Sequence, residues 1–147
     1  MVGRRRHGPG DRLSREENIA LVERFHRSLL DSRDAGAIEG FLAEDFESHS
    51  MPPGLPAGIE GVRGFFEMLA GAFPDADLEI EQLVADADSV AVASRLTGTH
   101  TGPLLGLEPT GRRASVAMID VVRIDGGRIV EHRGLTDTVG LMRQLTE

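Results

Sequence analysis

The sequence contains no cysteine, tryptophan or tyrosine, and it has no long hydrophobic run. The lack of cysteine excludes disulfide bonds, thiolate nucleophiles and cysteine-ligated zinc. Stacking of a ligand on an aromatic side chain is left to the six phenylalanines. No stretch has the length of a transmembrane helix or the apolar core of a signal peptide, so we expect no membrane partner and a cytoplasmic protein.

Basic residues are fewer than acidic ones. The 24 aspartates and glutamates outnumber the 16 lysines and arginines, which gives a formal charge of −8. Nucleic acids bind basic surfaces, so we expect no nucleic-acid partner and favour a small molecule. Residues 1–13 are rich in arginine and glycine and have little to bury, which predicts a flexible basic tail. The remaining residues, 14–147, are enough for one domain with one core.

Three helices are predicted in the first half of the chain. Ser14 and Glu17 have the spacing of a capping box, and apolar residues, Phe25 and Leu29 among them, then recur every three or four positions until about residue 32. Asp34 is typical of the cap of a short second helix over residues 35–43. Prolines predict a loop at 50–57, and a third helix follows over 59–73.

The second half alternates apolar and polar residues with period two, which predicts four antiparallel strands at about 78–85, 89–100, 113–124 and 128–136. The pair Gly126-Gly127 is typical of a tight hairpin turn between the last two strands. A closing helix is predicted over 137–145. This order predicts an α+β domain in which helices cover one face of a curved sheet and enclose a hydrophobic pocket.

Asp120 is the first candidate catalytic residue. Alternation places it on the same face as four apolar residues of its strand, where a carboxylate can act as a general base. Its partner depends on the hairpin register. A two-residue turn places Asp120 opposite Arg133 and favours a structural ion pair, whereas a three-residue turn places it opposite His132 and favours a carboxylate–imidazole pair.

Three histidines are further candidates. His132 can exchange protons near neutral pH if Asp120 orients it, although a strand histidine can equally be a packing residue. His49 precedes the proline loop and is expected at the pocket mouth, and His100 ends a strand; each is a candidate ligand contact. The three histidines and Asp120 could form a metal set, but no close ligand spacing is present, so we predict no metal.

Several segments together resemble the SnoaL-like polyketide cyclase, or ester cyclase, family. They are "DFESHSMPPGLPAG", "GTHTGPLLGLEPTGRR" and "IDVVRIDGGRIVEHRGLTDTVGLMRQL", which occur in the family's order. The resemblance implies the cone-shaped α+β fold shared with ketosteroid isomerase, and commonly a homodimer or higher homo-oligomer. It also implies intramolecular aldol ring closure of polyketides without a metal or another cofactor.

The chain departs from the family at one important position. Family members carry an acid/base aspartate where this chain has Gly134, in "HRGLTD", and a pocket histidine where it has Asp120. The carboxylate has either moved across the hairpin or been lost. Asp137 matches a second family aspartate, for which a helix-capping role is the better interpretation.

Two main functions follow from these observations. The first is a cofactor-independent acid/base catalyst on a hydrophobic carbonyl compound such as a polyketide, with Asp120 and His132 as catalytic residues. The substrate would contact His49, His100, Met118, Arg133 and Gly134, and His49, His100 or Arg133 would donate to the enolate oxygen. The second is a non-catalytic protein that binds a small hydrophobic molecule, and a weaker third is an interaction domain whose cavity is filled by side chains.

Overall fold

A computed structural model of the chain describes residues 14–30 and 37–147, and within them a five-stranded sheet is combined with four helices. The elements, in chain order, are α1 (Arg15–Ser28), α2 (Ala37–Phe41), β1 (Leu42–Ser48), α3 (Ile59–Ala72), β2 (Asp77–Ala85), β3 (Ser89–Thr99), β4 (Arg113–Asp125), β5 (Arg128–Thr136) and α4 (Thr138–Thr146). The predicted α+β class is confirmed, and none of the helices in this part of the chain is long and apolar enough to cross a membrane.

Helix α1 begins at the predicted capping box. The Glu17 backbone N–H donates to Ser14 Oγ over 3.1 Å, and the Ser14 N–H donates back to Glu17 Oε1 over 3.4 Å. The two bonds satisfy backbone donors that the first helical turn leaves free. Phe25 and Leu29 are buried, as predicted. The predicted cap at Asp34 lies outside the described residues.

The sheet has one strand more than the sequence predicted. Its order is β1-β5-β4-β3-β2, in which β1 runs parallel to β5 and the other neighbours are antiparallel. Leu42 therefore begins a strand, whereas we expected it to lie within the helix predicted over residues 35–43. Leu42 and Phe46 are buried four residues apart, and the β1–β5 register is irregular between Leu42 and Glu47. The irregularity hides the period-two pattern by which a strand is recognised.

A bulge in β2 changes which face of the strand is buried, so our prediction for its second half is wrong. Ile80 pairs with Ser94 and Gln82 with Ala93, so Glu81 is an extra residue. Beyond it the faces exchange, and Val84, which we expected to face the core, is 51% exposed. In β3, by contrast, the predicted inward face is confirmed: Val90, Val92, Ser94, Leu96 and the following His100 are all buried.

The corner between β3 and β4 lies against the C-terminal end of α3. The Thr101 and Gly102 N–H groups both donate to the Ala72 carbonyl over 3.1 Å. A Cβ on Gly102 would overlap the Gly71 carbonyl, and one on Gly98 would lie 2.9 Å from Phe73 Cβ. Glycine is favoured at both positions, because the loop at Gly102 approaches the last turn of α3 and the strand at Gly98 approaches the residues that follow this helix.

Candidate active site

A cavity of about 670 Å³ lies between the helices and the sheet. Most of its wall is apolar and includes Phe25, Leu29, Phe66, Leu69, Met118 and Val122. Residues 51–55 and Leu105 line it as well. The cavity also has a small group of polar side chains, and this combination is typical of a small-molecule site.

Asp120 and His132 are in direct contact on the cavity wall. The distance between Asp120 Oδ1 and His132 Nε2 is 2.7 Å, and the two side chains are 23% and 20% exposed. A carboxylate that accepts the Nε2–H fixes the orientation and the tautomer of the ring. The contact joins the two residues that we singled out as candidate catalysts.

The contact arises from a register that differs from both of those considered. The turn is the two-residue Gly126-Gly127 turn, and Asp125 pairs with Arg128. A bulge between Arg123 and Ile124 then shifts the pairing by one residue, so that Asp120 lies opposite Gly134 and Val122 opposite His132. Asp120 reaches His132 diagonally, because residues two apart on a strand share one face.

Gly134 leaves the space in which the two side chains meet. A Cβ at this position would overlap Asp120 Oδ1 and would lie 2.8 Å from His132 Nε2. The missing side chain is therefore a geometric requirement of the Asp120–His132 pair as it stands.

Two serines complete the polar group: Ser48 is the last residue of β1, and Ser50 lies two residues beyond it. Ser48 Oγ lies 2.9 Å from His132 Nδ1 and accepts the Ser50 N–H. Ser48 is buried and is not part of the cavity wall, so it holds the ring from behind. Ser50 does line the cavity, and its Oγ accepts the Gly134 N–H over 2.8 Å. Its hydroxyl hydrogen is thus left to donate elsewhere.

His26 is a further cavity residue that the sequence reasoning missed, as it missed Ser48 and Ser50. His26, on the inner face of α1, is 7% exposed and lines the cavity. Burial lowers the pKa of His26, and the Val22 carbonyl and the Asp120 carboxylate only partly oppose this effect. The signal in the sequence was its position four residues after Val22, within the buried stripe of α1.

Met118 and Gly134, two of the residues expected to contact a substrate, line the cavity, but His49, His100 and Arg133 do not. His49 was expected at the pocket mouth, and instead its Nε2 lies 3.6 Å from Glu131 Oε2. Arg133 is exposed opposite Val121, on the outer face of the sheet, because neighbouring residues of a strand point to opposite faces.

His100 is fully buried away from the cavity. Its Nδ1 accepts the Thr110 N–H over 3.1 Å, and its ring packs against Phe73 with the ring centroids 5.6 Å apart. This ring is part of the core at the β3–β4 corner. In the described part of the chain, the structure also brings together no group of three or more histidines and carboxylates that could hold a metal ion.

The fold agrees with the family comparison. The SnoaL-like polyketide cyclase model matches residues 20–145, so the chain belongs to that family. It is 46% identical over 92 residues to the aklanonic acid methyl ester cyclase DauD of a Streptomyces species, and 38% identical over 92 residues to DnrD, the enzyme of the same description from Streptomyces peucetius. Each match covers 61% of this chain but only 56% of DauD and 63% of DnrD, less than two thirds of either relative.

Solved structures show the same fold over most of the chain. The structure of TsrD from Streptomyces laurentii superimposes with a TM-score of 0.80 at 30% sequence identity, covering 91% of this chain and 98% of TsrD. The predicted cone-shaped fold of the SnoaL-like cyclases is therefore confirmed.

Proposed function

We propose that this protein is a cofactor-independent acid/base catalyst that removes a proton next to a carbonyl group of a hydrophobic, polyketide-like compound. The observation that carries the proposal is the 2.7 Å contact between Asp120 Oδ1 and His132 Nε2 on the wall of an apolar cavity. A carboxylate held in this way is a positioned general base. The curated relatives described as methyl ester cyclases support ring closure as the reaction.

In the proposed mechanism Asp120 takes a proton from the carbon next to a carbonyl group, which leaves an enolate. The enolate carbon then attacks a second carbonyl carbon of the same molecule and forms the new ring bond. The alkoxide that results takes up the proton from Asp120, so no atom is gained or lost. His132 donates its Nε2–H to Asp120 and thereby positions the carboxylate, while Ser48 holds Nδ1 of the same ring.

The enolate oxygen requires a hydrogen-bond donor. The donors expected from the sequence, His49, His100 and Arg133, lie away from the cavity. Ser50 is the best-placed alternative, because its Oγ accepts the Gly134 N–H and its own hydrogen is free to point into the cavity. We assign the role of enolate donor to the Ser50 hydroxyl.

The test is exchange of solvent deuterium into a model ketone, 1-tetralone, whose protons next to the carbonyl can be followed by NMR in deuterium oxide. We expect the protein to accelerate exchange and Asp120→Asn to lose about a hundredfold or more of that acceleration, as is typical of a lost general base. Asp45→Asn is the matched control, since Asp45 is an exposed aspartate away from the cavity.

Equal exchange rates in Asp120→Asn and the unmodified protein would refute Asp120 as the base. A second candidate function is the binding of a small hydrophobic molecule without turnover, which the largely apolar wall of the cavity favours. The missing side chain at Gly134 does not enlarge the cavity, because Asp120 and His132 occupy the space beside it. Binding of 1-tetralone without accelerated exchange would support that function and contradict ours.

We also propose that the protein forms a homodimer or a higher homo-oligomer through the outer face of β4 and β5. Ile119 and Leu135 are paired across β4 and β5, and they and Val121 expose 60%, 81% and 42% of their surface. Adjacent exposed apolar side chains on a sheet favour association. Light scattering should give a mass above that of one chain, and Ile119→Lys should reduce it.

A further inference from the structure

We propose that His26 is a specificity residue whose Nε2 accepts a hydrogen bond from a hydroxyl group of the ligand. The site would then take a hydrophobic carbonyl compound that carries a hydroxyl or phenol at a distance from the reacting carbon. This inference deepens the proposed function and rests on it for the carbonyl group. The mechanism above makes no use of His26, although the residue lines the same cavity.

The tautomer of His26 follows from its hydrogen bond. Nδ1 lies 3.2 Å from the Val22 carbonyl oxygen, one turn earlier in α1. A carbonyl oxygen can only accept, so Nδ1 carries the hydrogen. In a neutral ring the other nitrogen, Nε2, then presents a lone pair and acts only as an acceptor.

The environment favours that neutral ring. The residue is 7% exposed, and burial lowers the pKa of His26, which works against a second proton. The rings of His26 and Phe25 form an edge-to-face pair, with the ring centroids 5.9 Å apart. His26 is therefore held in place on the helix side of the cavity.

Among the described residues, the Val22 carbonyl is the only hydrogen-bond partner of His26, and it occupies Nδ1. Nε2 is not one of the fully buried side-chain atoms that lack a partner in this part of the chain, so it is accessible from the cavity that His26 lines. Its lone pair can therefore accept a hydrogen bond from a hydroxyl group on a bound molecule, in place of water.

The cavity gives such a ligand two polar contacts on an apolar wall. Asp120 and His132 lie on the strands β4 and β5, whereas His26 lies on α1, and both dyad residues act electrostatically on His26. A ligand that reaches both places needs a carbonyl group at one end and a hydrogen-bond donor at the other. The acceptor-only Nε2 discriminates against an ether or a second carbonyl at that end, because neither can donate.

The test uses two ketones of nearly equal size, 6-hydroxy-1-tetralone and 6-methoxy-1-tetralone, of which only the first can donate a hydrogen bond. Calorimetry should show that the protein binds the hydroxy compound about threefold to tenfold more tightly, as is typical of one neutral hydrogen bond. In His26→Phe the ratio of the two dissociation constants should fall to about one. His49→Phe, the same substitution outside the cavity, should leave the ratio unchanged.

A ratio that is unchanged in His26→Phe would overturn the inference. NMR of protein labelled with ¹⁵N-histidine provides an independent check, since it should show His26 protonated at Nδ1 only and a shift of its Nε2 signal with the hydroxy compound alone. Protonation of Nε2 in the free protein would also overturn the inference. Asp120→Asn should retain the binding ratio while it loses exchange, so a failure of the proposed base and a failure of the His26 contact can be told apart.

Discussion

Gly134 lies directly opposite Asp120 in the β4–β5 ladder, and any side chain on Gly134 would occupy the space of the Asp120 carboxylate. The family resemblance places an acid/base aspartate at position 134 and a histidine at position 120. Because the two positions face each other across one ladder, a carboxylate at either of them enters the same part of the cavity. Glycine at 134 is therefore compatible with an acid/base site whose carboxylate comes from β4.

We expect Gly134→Ala to separate Asp120 from His132. The new Cβ would overlap Asp120 Oδ1, and the end of that side chain can rotate away more easily than the strand can move. Exchange of the 1-tetralone protons should fall at least about tenfold, because a displaced base loses its alignment. The unfolding free energy should change by less than about 1 kcal/mol, since alanine is also preferred over glycine within a strand. Undiminished exchange would show that the observed contact is not required.

Swapping the side chains at positions 120 and 134 to the residues implied by the family resemblance provides a second test. Asp120→His alone should lose exchange activity, because no carboxylate would then remain in the pair. The double variant Asp120→His with Gly134→Asp should recover part of it, since it restores the arrangement implied by the family resemblance. A double-mutant cycle on the exchange rates measures the coupling between the two sites. If the double variant is no more active than Asp120→His, the relocated-carboxylate interpretation is wrong.

His26 should make stability depend on pH. Burial lowers the pKa of His26 in the folded protein below its ordinary value of 6.5, so the unfolded chain binds more protons in the interval between the two values. The unfolding free energy should therefore rise with pH across that interval and should decrease as the pH falls below about 6.5. Urea denaturation of the protein and of His26→Phe at several pH values between about 5 and 7.5 checks this. If the unfolding free energy of His26→Phe depended on pH as steeply as that of the unmodified protein, this prediction would be wrong.

The β3–β4 corner should tolerate no side chain where it contacts α3. A Cβ on Gly102 would overlap the Gly71 carbonyl and lie 3.2 Å from Ala72 Cα, so backbone has to move. We expect Gly102→Ala to lower the unfolding free energy by about 1–3 kcal/mol. Gly71→Ala is the control, because its Cβ would meet nothing within 4 Å and alanine favours a helix by up to about 1 kcal/mol. Equal stability of the two variants would contradict the close approach.

The sequence by itself determined the elements whose signals are local. The capping box at Ser14, the alternation along β3 and the two-glycine turn each depend on residues close together in the chain, and each is present as predicted. The order of the motifs also identified the family. Local backbone preferences and side-chain periodicity are enough for such conclusions.

Only the tertiary structure decided the site. One bulge changed the partner of Asp120 from Arg133 to Gly134, and a bulge adds a residue without a reliable mark in the sequence pattern. The Ser48–His132 contact joins residues 84 positions apart, and His26 reaches the cavity only because α1 packs over the sheet. These relationships depend on strand register and on packing between distant segments, which the composition of each segment does not specify.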